Sequence, residues 1–163
     1  MATRGLPPVT VIEPRREALL RGEVTEEHVR WFIVNPIYAG IGPATGRGYV
    51  SHRQWVKSAA VMVEAEGPEQ FLVNFLHALR QTFGATAPRG PVATDLATLP
   101  RDAVFDPTVT GIGTTPRQVE DGPWVLAGAA LMRAKGAGWV LQRMLRRLQE
   151  VLPQDAGELG KVD

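Results

Sequence analysis

One helical pattern is written twice in this chain, and that repetition constrains the fold more than any other feature. The first unit opens at Trp55-Val56 and runs through Ala59, Ala60 and Ala65 to Gly67. A second apolar segment, Pro68 to Phe83, follows at once. At an offset of about 69 residues the same order returns as Trp124-Val125, Ala129, Ala134 and Gly136, then Ala137 to Leu152. Leu72, Leu76 and Leu79 fall on Leu141, Leu145 and Leu148 in that register. The approach segments agree as well, with Asn35-Pro36 to Gly40-Ile41-Gly42 echoed by Asp106-Pro107 to Gly111-Ile112-Gly113. Leucines at helical spacing recur in any two amphipathic helices. A shared Trp-Val opening and a shared inter-helix glycine are harder to obtain by chance, so the pattern reads as an ancestral duplication of a helical hairpin.

Each unit is about 50 residues, too small to bury a large core alone. The expectation is therefore an all-α fold in which the two hairpins close one interior as a pseudo-twofold four-helix arrangement. N-terminal helices and a short extended arm complete it. The duplicated domain spans 1–153, with one repeat over 31–84, a linker at 85–101 and the other repeat over 102–152; residues 154–163 form a tail.

Along the chain, Val9 to Ile12 is a β-branched run suited to an extended arm. Pro14 starts a short helix that Gly22 closes, and Thr25 caps another that must stop before Pro36. Asn35 to Tyr49 is a loop punctuated by Pro36, Gly40, Gly42, Pro43, Gly46 and Gly48. Ser51 and Gln54 form a capping-box pair. Gly67 is expected in the left-handed conformation at the helix end. Phe71, Leu72, Phe75, Leu76, Leu79 and Phe83 make the strongest apolar face. The Pro/Ala/Thr/Gly-rich linker is pinned by Leu96 and Leu99, and Asp121 is expected to cap the third hairpin helix.

Chemistry is harder to find. The formal charge of the 163-residue chain is +1, so no global field draws in nucleic acid or anionic lipid. Without cysteine there is no disulfide, thiol nucleophile or thiolate-bound zinc. No apolar run reaches the length of a membrane span and the N-terminus lacks a secretory core, which places the protein in the cytoplasm by expectation. The loop Gly40 to Gly48 fails the P-loop pattern for want of a Lys-Ser/Thr. It fails the dinucleotide pattern because helix precedes it, so it is a turn-rich connector. His28, His52 and His77 are each isolated, with no metal-ligand spacing. Ser51 and Ser58 are the only serines, and neither lies in a nucleophile elbow.

Two features remain. Between 123 and 152 the chain carries Arg133, Lys135, Arg143, Arg146 and Arg147 against Glu150 alone. Arg143, Arg146 and Arg147 share a helix face opposite the leucines, a face that is either solvated or bound to phosphates or an acidic partner. No aromatic residue is read as interleaving with them, which argues against single-strand stacking. Of the four tryptophans, Trp31, Trp55, Trp124 and Trp139, the middle two are repeat-equivalent core anchors. Trp139 stands where the sister unit has Gln70. It has either adapted to the N-terminal helices or serves as an exposed binding anchor.

The stretch Thr25-Glu-Glu-His-Val-Arg-Trp-Phe-Ile-Val-Asn-Pro-Ile-Tyr-Ala-Gly40, followed by Val50-Ser-His-Arg-Gln-Trp55, resembles the end of the recombinase domain in large serine recombinases. The resemblance implies proximity to DNA, with Arg30, Arg47 and Arg53 as phosphate contacts. Recombinase catalysis is not implied, since neither a resolvase catalytic segment nor zinc-ribbon cysteines accompany the match.

The sequence thus leads to a non-enzymatic protein-interaction or assembly subunit, with a protein partner or self-association and no cofactor or metal. The alternative is a DNA- or RNA-associated accessory protein using the basic last helix and the Asn-Pro/Gly loops. The contact residues for either are Arg30, Tyr38, Arg47, Arg53, Trp139, Arg143, Arg146 and Arg147.

Overall fold

The computed structural model describes residues 33–39 and 50–152. The expected arm at 9–12, the helix closed by Gly22, most of the helix capped by Thr25, the glycine loop at 40–48 and the tail at 154–163 lie outside the described residues. Within them the chain is all-α. Four long helices, α1 (His52–Glu66), α2 (Pro68–Phe83), α3 (Asp121–Lys135) and α4 (Ala137–Val151), are joined by short 3-10 turns η1 (Pro36–Ala39), η2 (Arg101–Phe105) and η3 (Pro107–Thr110).

Helix boundaries follow local chemistry. The Ser51 hydroxyl accepts from the Gln54 amide at 3.1 Å and so satisfies one of the first-turn donors of α1. Gly67 and Gly136 close α1 and α3 with nearly identical backbones, φ 93°, ψ 147° and φ 99°, ψ 141°. That is positive φ with an extended ψ, not the left-handed conformation expected for Gly67. Each glycine ends one helix and is also the N-cap of the next, so ψ swings out to lead the chain back; Pro68 enforces the same at Gly67. Only glycine adopts this region readily.

The expected cap at Asp121 falls one residue earlier, where Glu120 has the extended cap backbone. Asp121 is the first helical residue, and its carboxylate takes two bonds from the Arg80 guanidinium at 2.6 and 2.8 Å. A bidentate charged partner from α2 outcompetes the weaker bond to its own helix, while the negative charge still favours the helix N-terminus.

Packing explains the paired leucines. Leu72, Leu76 and Leu79 of α2 and Leu141, Leu145 and Leu148 of α4 are all buried, with Phe71 and Phe75 facing the same core as Val140 and Met144. Trp55 and Trp124, each one turn into its helix, are buried too. Besides the pairing within each hairpin, α1 packs on α4 and α2 packs on α3. Exchanging the two hairpins leaves that pattern unchanged, as a pseudo-twofold four-helix arrangement requires. The α2–α3 approach is close, because a Cβ at Gly128 would meet Leu72 Cδ1 at 2.9 Å. Arg133 and Glu69 tie the same two helices at 2.6 Å, so Glu69 belongs to an inter-hairpin ion pair and is not simply a wetted surface residue.

The linker is more ordered than its composition implies. Ala85 bridges Ile112 and Ala93 bridges Val119. The Ala93 amide donates to Gln118 at 2.8 Å and its carbonyl accepts from Glu120 at 3.1 Å. These bonds satisfy backbone groups that a proline-rich segment cannot pair within itself. Leu96 and Leu99 pack against the core as expected.

Candidate interaction face

The two Asx-Pro turns are held by the second helix of their own hairpins, but through different chemistry. Asn35 donates to the Thr82 hydroxyl at 3.0 Å. Asp106 is buried; its Oδ1 accepts from the Thr108 amide at 3.0 Å and from the Thr108 hydroxyl at 2.5 Å. Its Oδ2 accepts from Arg147 Nε at 3.2 Å. Arg147 also reaches Glu150 at 3.4 Å, and the Asp106 carboxylate holds the guanidinium pKa above its ordinary value. Arg147 is therefore a structural clamp between α4 and η3. The sequence placed Arg147 on a face either solvated or bound to phosphates or an acidic partner; here it pairs with a buried carboxylate 41 residues away, which needs a cation.

The two hairpins differ most one turn earlier on α4. In the first hairpin, Glu66, Gln70 and Asn74 form a closed polar ladder. Gln70 donates to Asn74 Oδ1 at 3.1 Å, and Asn74 donates to Glu66 Oε1 at 3.2 Å. The same register in the second hairpin holds Lys135, Trp139 and Arg143. Here the Arg143 guanidinium carbon lies 3.5 Å from the Trp139 ring centroid and the Lys135 ammonium lies 5.8 Å from it. Phe105 of η2 meets the same indole edge-on at 5.8 Å. Trp139 is 37% exposed; the N-terminal helices to which the sequence alternatively assigned it lie almost wholly outside the described residues. An aromatic does interleave with the arginines, contrary to the sequence reading. Residues four apart on a helix stack side by side, and Trp139 precedes Arg143 by that spacing.

Arg146 is exposed on the next turn of α4. Among the described residues no carboxylate lies within ion-pair distance of Lys135, Arg143 or Arg146. A notch of about 160 Å³ opens beside them, lined by Asp102, Phe105, Arg143, Arg146, Arg147 and Glu150. Past Arg147 lies a second recess of about 220 Å³, which shares Asp102 and Arg147 and reaches Ala103, Asp106, Val109, Gln118 and Val151. The two recesses adjoin at Asp102 and Arg147, which line both, along the groove between α4 and the η2–η3 turns.

Arg30 and Arg47 lie outside the described residues, as does the side chain of Tyr38. Arg53 is exposed on the first turn of α1 and does not line the groove. Phe105, which the sequence reading did not single out, and Lys135, which it counted among the basic residues but not among the contacts, complete the aromatic and cationic frame. Lys135 ends α3 and Trp139 lies in the first turn of α4, so helical spacing does not pair them, and nothing local marks Phe105. Among the described residues no group of His, Asp and Glu is arranged to hold a metal, and no helix is long and apolar enough to cross a membrane. No protein-family model, curated protein or solved structure matches the chain.

Proposed function

We propose that this protein is a non-enzymatic interaction module, an accessory or assembly subunit built on a copied helical hairpin, and that it binds a protein partner through the Trp139 face of α4. One observation carries the reading: a partly exposed tryptophan contacts two cations, one of which lines a groove, where the first hairpin has a polar ladder. Tryptophan and arginine are the side chains most enriched at the energetic centres of protein interfaces. Favouring one indole orientation beforehand lowers the entropy lost on binding. The nucleic-acid alternative rests on Arg143 and Arg146 beside an aromatic surface. It is the weaker reading, because Arg147 is already engaged by Asp106 and Glu150.

The test is capture by the tagged full chain and by Trp139→Ala from nuclease-treated lysate of the source organism, read by quantitative mass spectrometry. The expected result is a protein retained by the parent chain, depleted about thirtyfold with the variant, as loss of an interface hot spot implies. Identical retention by both chains, or retention abolished by nuclease, overturns the reading.

A further inference from the structure

We infer that the segment docking on this face is an acidic stretch of polypeptide: a glutamate or aspartate enters the notch toward Arg143 and Arg146 while a neighbouring apolar side chain covers the open edge of Trp139. This rests on the binding reading above and names its partner by chemistry.

Charge complementarity selects the occupant. Lys135, Arg143 and Arg146 have no carboxylate of the described residues in ion-pair range, whereas the other cation on this face, Arg147, has two. The notch holds about 160 Å³. That is room for roughly five waters, or for one carboxylate side chain that displaces them. Phe105 and Arg143 line the notch and both contact Trp139, so a carboxylate that enters it arrives beside apolar surface that a neighbouring side chain can cover.

A nucleic-acid strand fits less well. Asp102 and Glu150 line the same notch, and a continuous run of phosphates meets those two negative groups as soon as it extends past Arg146. A single carboxylate paired with Arg143 and Arg146 brings one negative charge to that lining, where a run of phosphates brings several. A second copy of this chain is also poorly matched, because the carboxylate in the corresponding place of the first hairpin, Glu66, is hydrogen-bonded to Asn74.

The experiment follows the indole N–H signals of the full chain by NMR, with Trp139 assigned through Trp139→Phe. The chain is titrated with a blocked peptide of alternating Glu and Leu, its Gln/Leu counterpart, and oligothymidylate. The Glu/Leu peptide should shift the Trp139 signal saturably, more weakly as salt is added. Arg143→Gln/Arg146→Gln should raise its half-saturation concentration on the order of fivefold, with the other indole signals unmoved. Arg89→Gln, an exposed arginine outside the groove, should change nothing. The inference is overturned if the Gln/Leu peptide acts equally, if oligothymidylate shifts the signal at lower concentration, or if dilution without peptide reproduces the shift, which would identify a second copy as the occupant. Absence of any shift with Glu/Leu also overturns it. Should Trp139-dependent capture of a protein persist in that case, the interaction reading stands and only the acidic partner falls.

Discussion

Arg143 and Trp139 sit four residues apart on α4, with the guanidinium carbon 3.5 Å from the ring centroid and Arg143 Nη1 donating to the Trp139 carbonyl at 3.1 Å. The stack and the hydrogen bond together favour one relative orientation of the two side chains. Stacking on an aromatic face desolvates one side of the guanidinium without neutralising it, so the charge stays available to an anion.

Arg143→Ala should therefore affect the surface more than the fold. A partly exposed cation–π contact contributes about 0.5–1 kcal/mol, and the urea midpoint is expected to fall by a correspondingly small amount. In a Trp31→Phe background, tryptophan emission should shift to the red as the Trp139 indole gains water, since Trp55 and Trp124 are buried and do not respond. A loss of several kcal/mol would mean that the stack helps hold the helices together.

The core tryptophans were legible from their register, yet their polar atoms were not. Trp124 Nε1 donates to the Ala103 carbonyl at 3.1 Å, whereas Trp55 Nε1 is buried with no acceptor among the described residues. Replacing Trp124 with Phe strands a carbonyl and should cost about 2–3 kcal/mol. Trp55→Phe removes an unpaired donor along with some packing volume against Phe75. The two effects offset, and the net change should be within about 1 kcal/mol. Parallel thermal and urea melts of the two variants decide it; equal losses would show that packing volume alone governs both sites.

Much of the architecture was written in periodic signals. The leucine stripes, the glycine at each hairpin bend and the Ser51 cap depend on residues within one helical turn, and the sequence states such relations directly. Other features depend on distant groups. Arg147 belongs to Asp106 and Arg80 to Asp121, pairs each separated by 41 residues, with nothing in spacing to announce them. The latter moved the α3 cap to Glu120 and the former withdrew an arginine from the expected binding face. Bridges from Ala85 and Ala93 likewise fastened a linker whose composition spoke only of turns. The Trp139–Arg143 stack differs from these. Its spacing was in plain view, but choosing between two solvated side chains and one stacked pair needs the side-chain directions imposed by the helix and by Phe105.

Acid should loosen the α2–α3 seam through Glu69. Arg133 donates to its carboxylate at 2.6 Å, and this hydrogen bond lowers the Glu69 pKa from 4.5. A carboxyl whose folded pKa is depressed stabilises the fold above its unfolded pKa, and that contribution fades as pH falls through the folded value. The difference in melting temperature between the parent chain and Glu69→Gln should be constant from neutral pH down to near 4.5, then shrink and vanish in stronger acid. Since the Glu69 side chain is only 17% exposed, added salt should reduce the difference less than for a fully wetted pair. A gap between the two chains that persists in strong acid would mean that Gln perturbs packing instead.

The sharpest test of the two Asx-Pro turns exchanges one for the other. Asp106 supports three donors, the Thr108 amide, the Thr108 hydroxyl and Arg147 Nε, while the first hairpin uses Asn35 in the corresponding place. Asp106→Asn keeps a carbonyl oxygen for Thr108 but gives Arg147 a neutral partner. Arg147 is 40% exposed, so water and Glu150 can still solvate its charge. The expected loss is about 1 kcal/mol. Asp106→Ala leaves the Thr108 amide and hydroxyl buried without an acceptor and detaches the Arg147 clamp, which should cost about 3 kcal/mol or more. Urea unfolding of both variants measures the difference. If Asn proves as damaging as Ala, the charge on Asp106 holds the turn; if both are mild, Arg147 is free to swing toward a ligand.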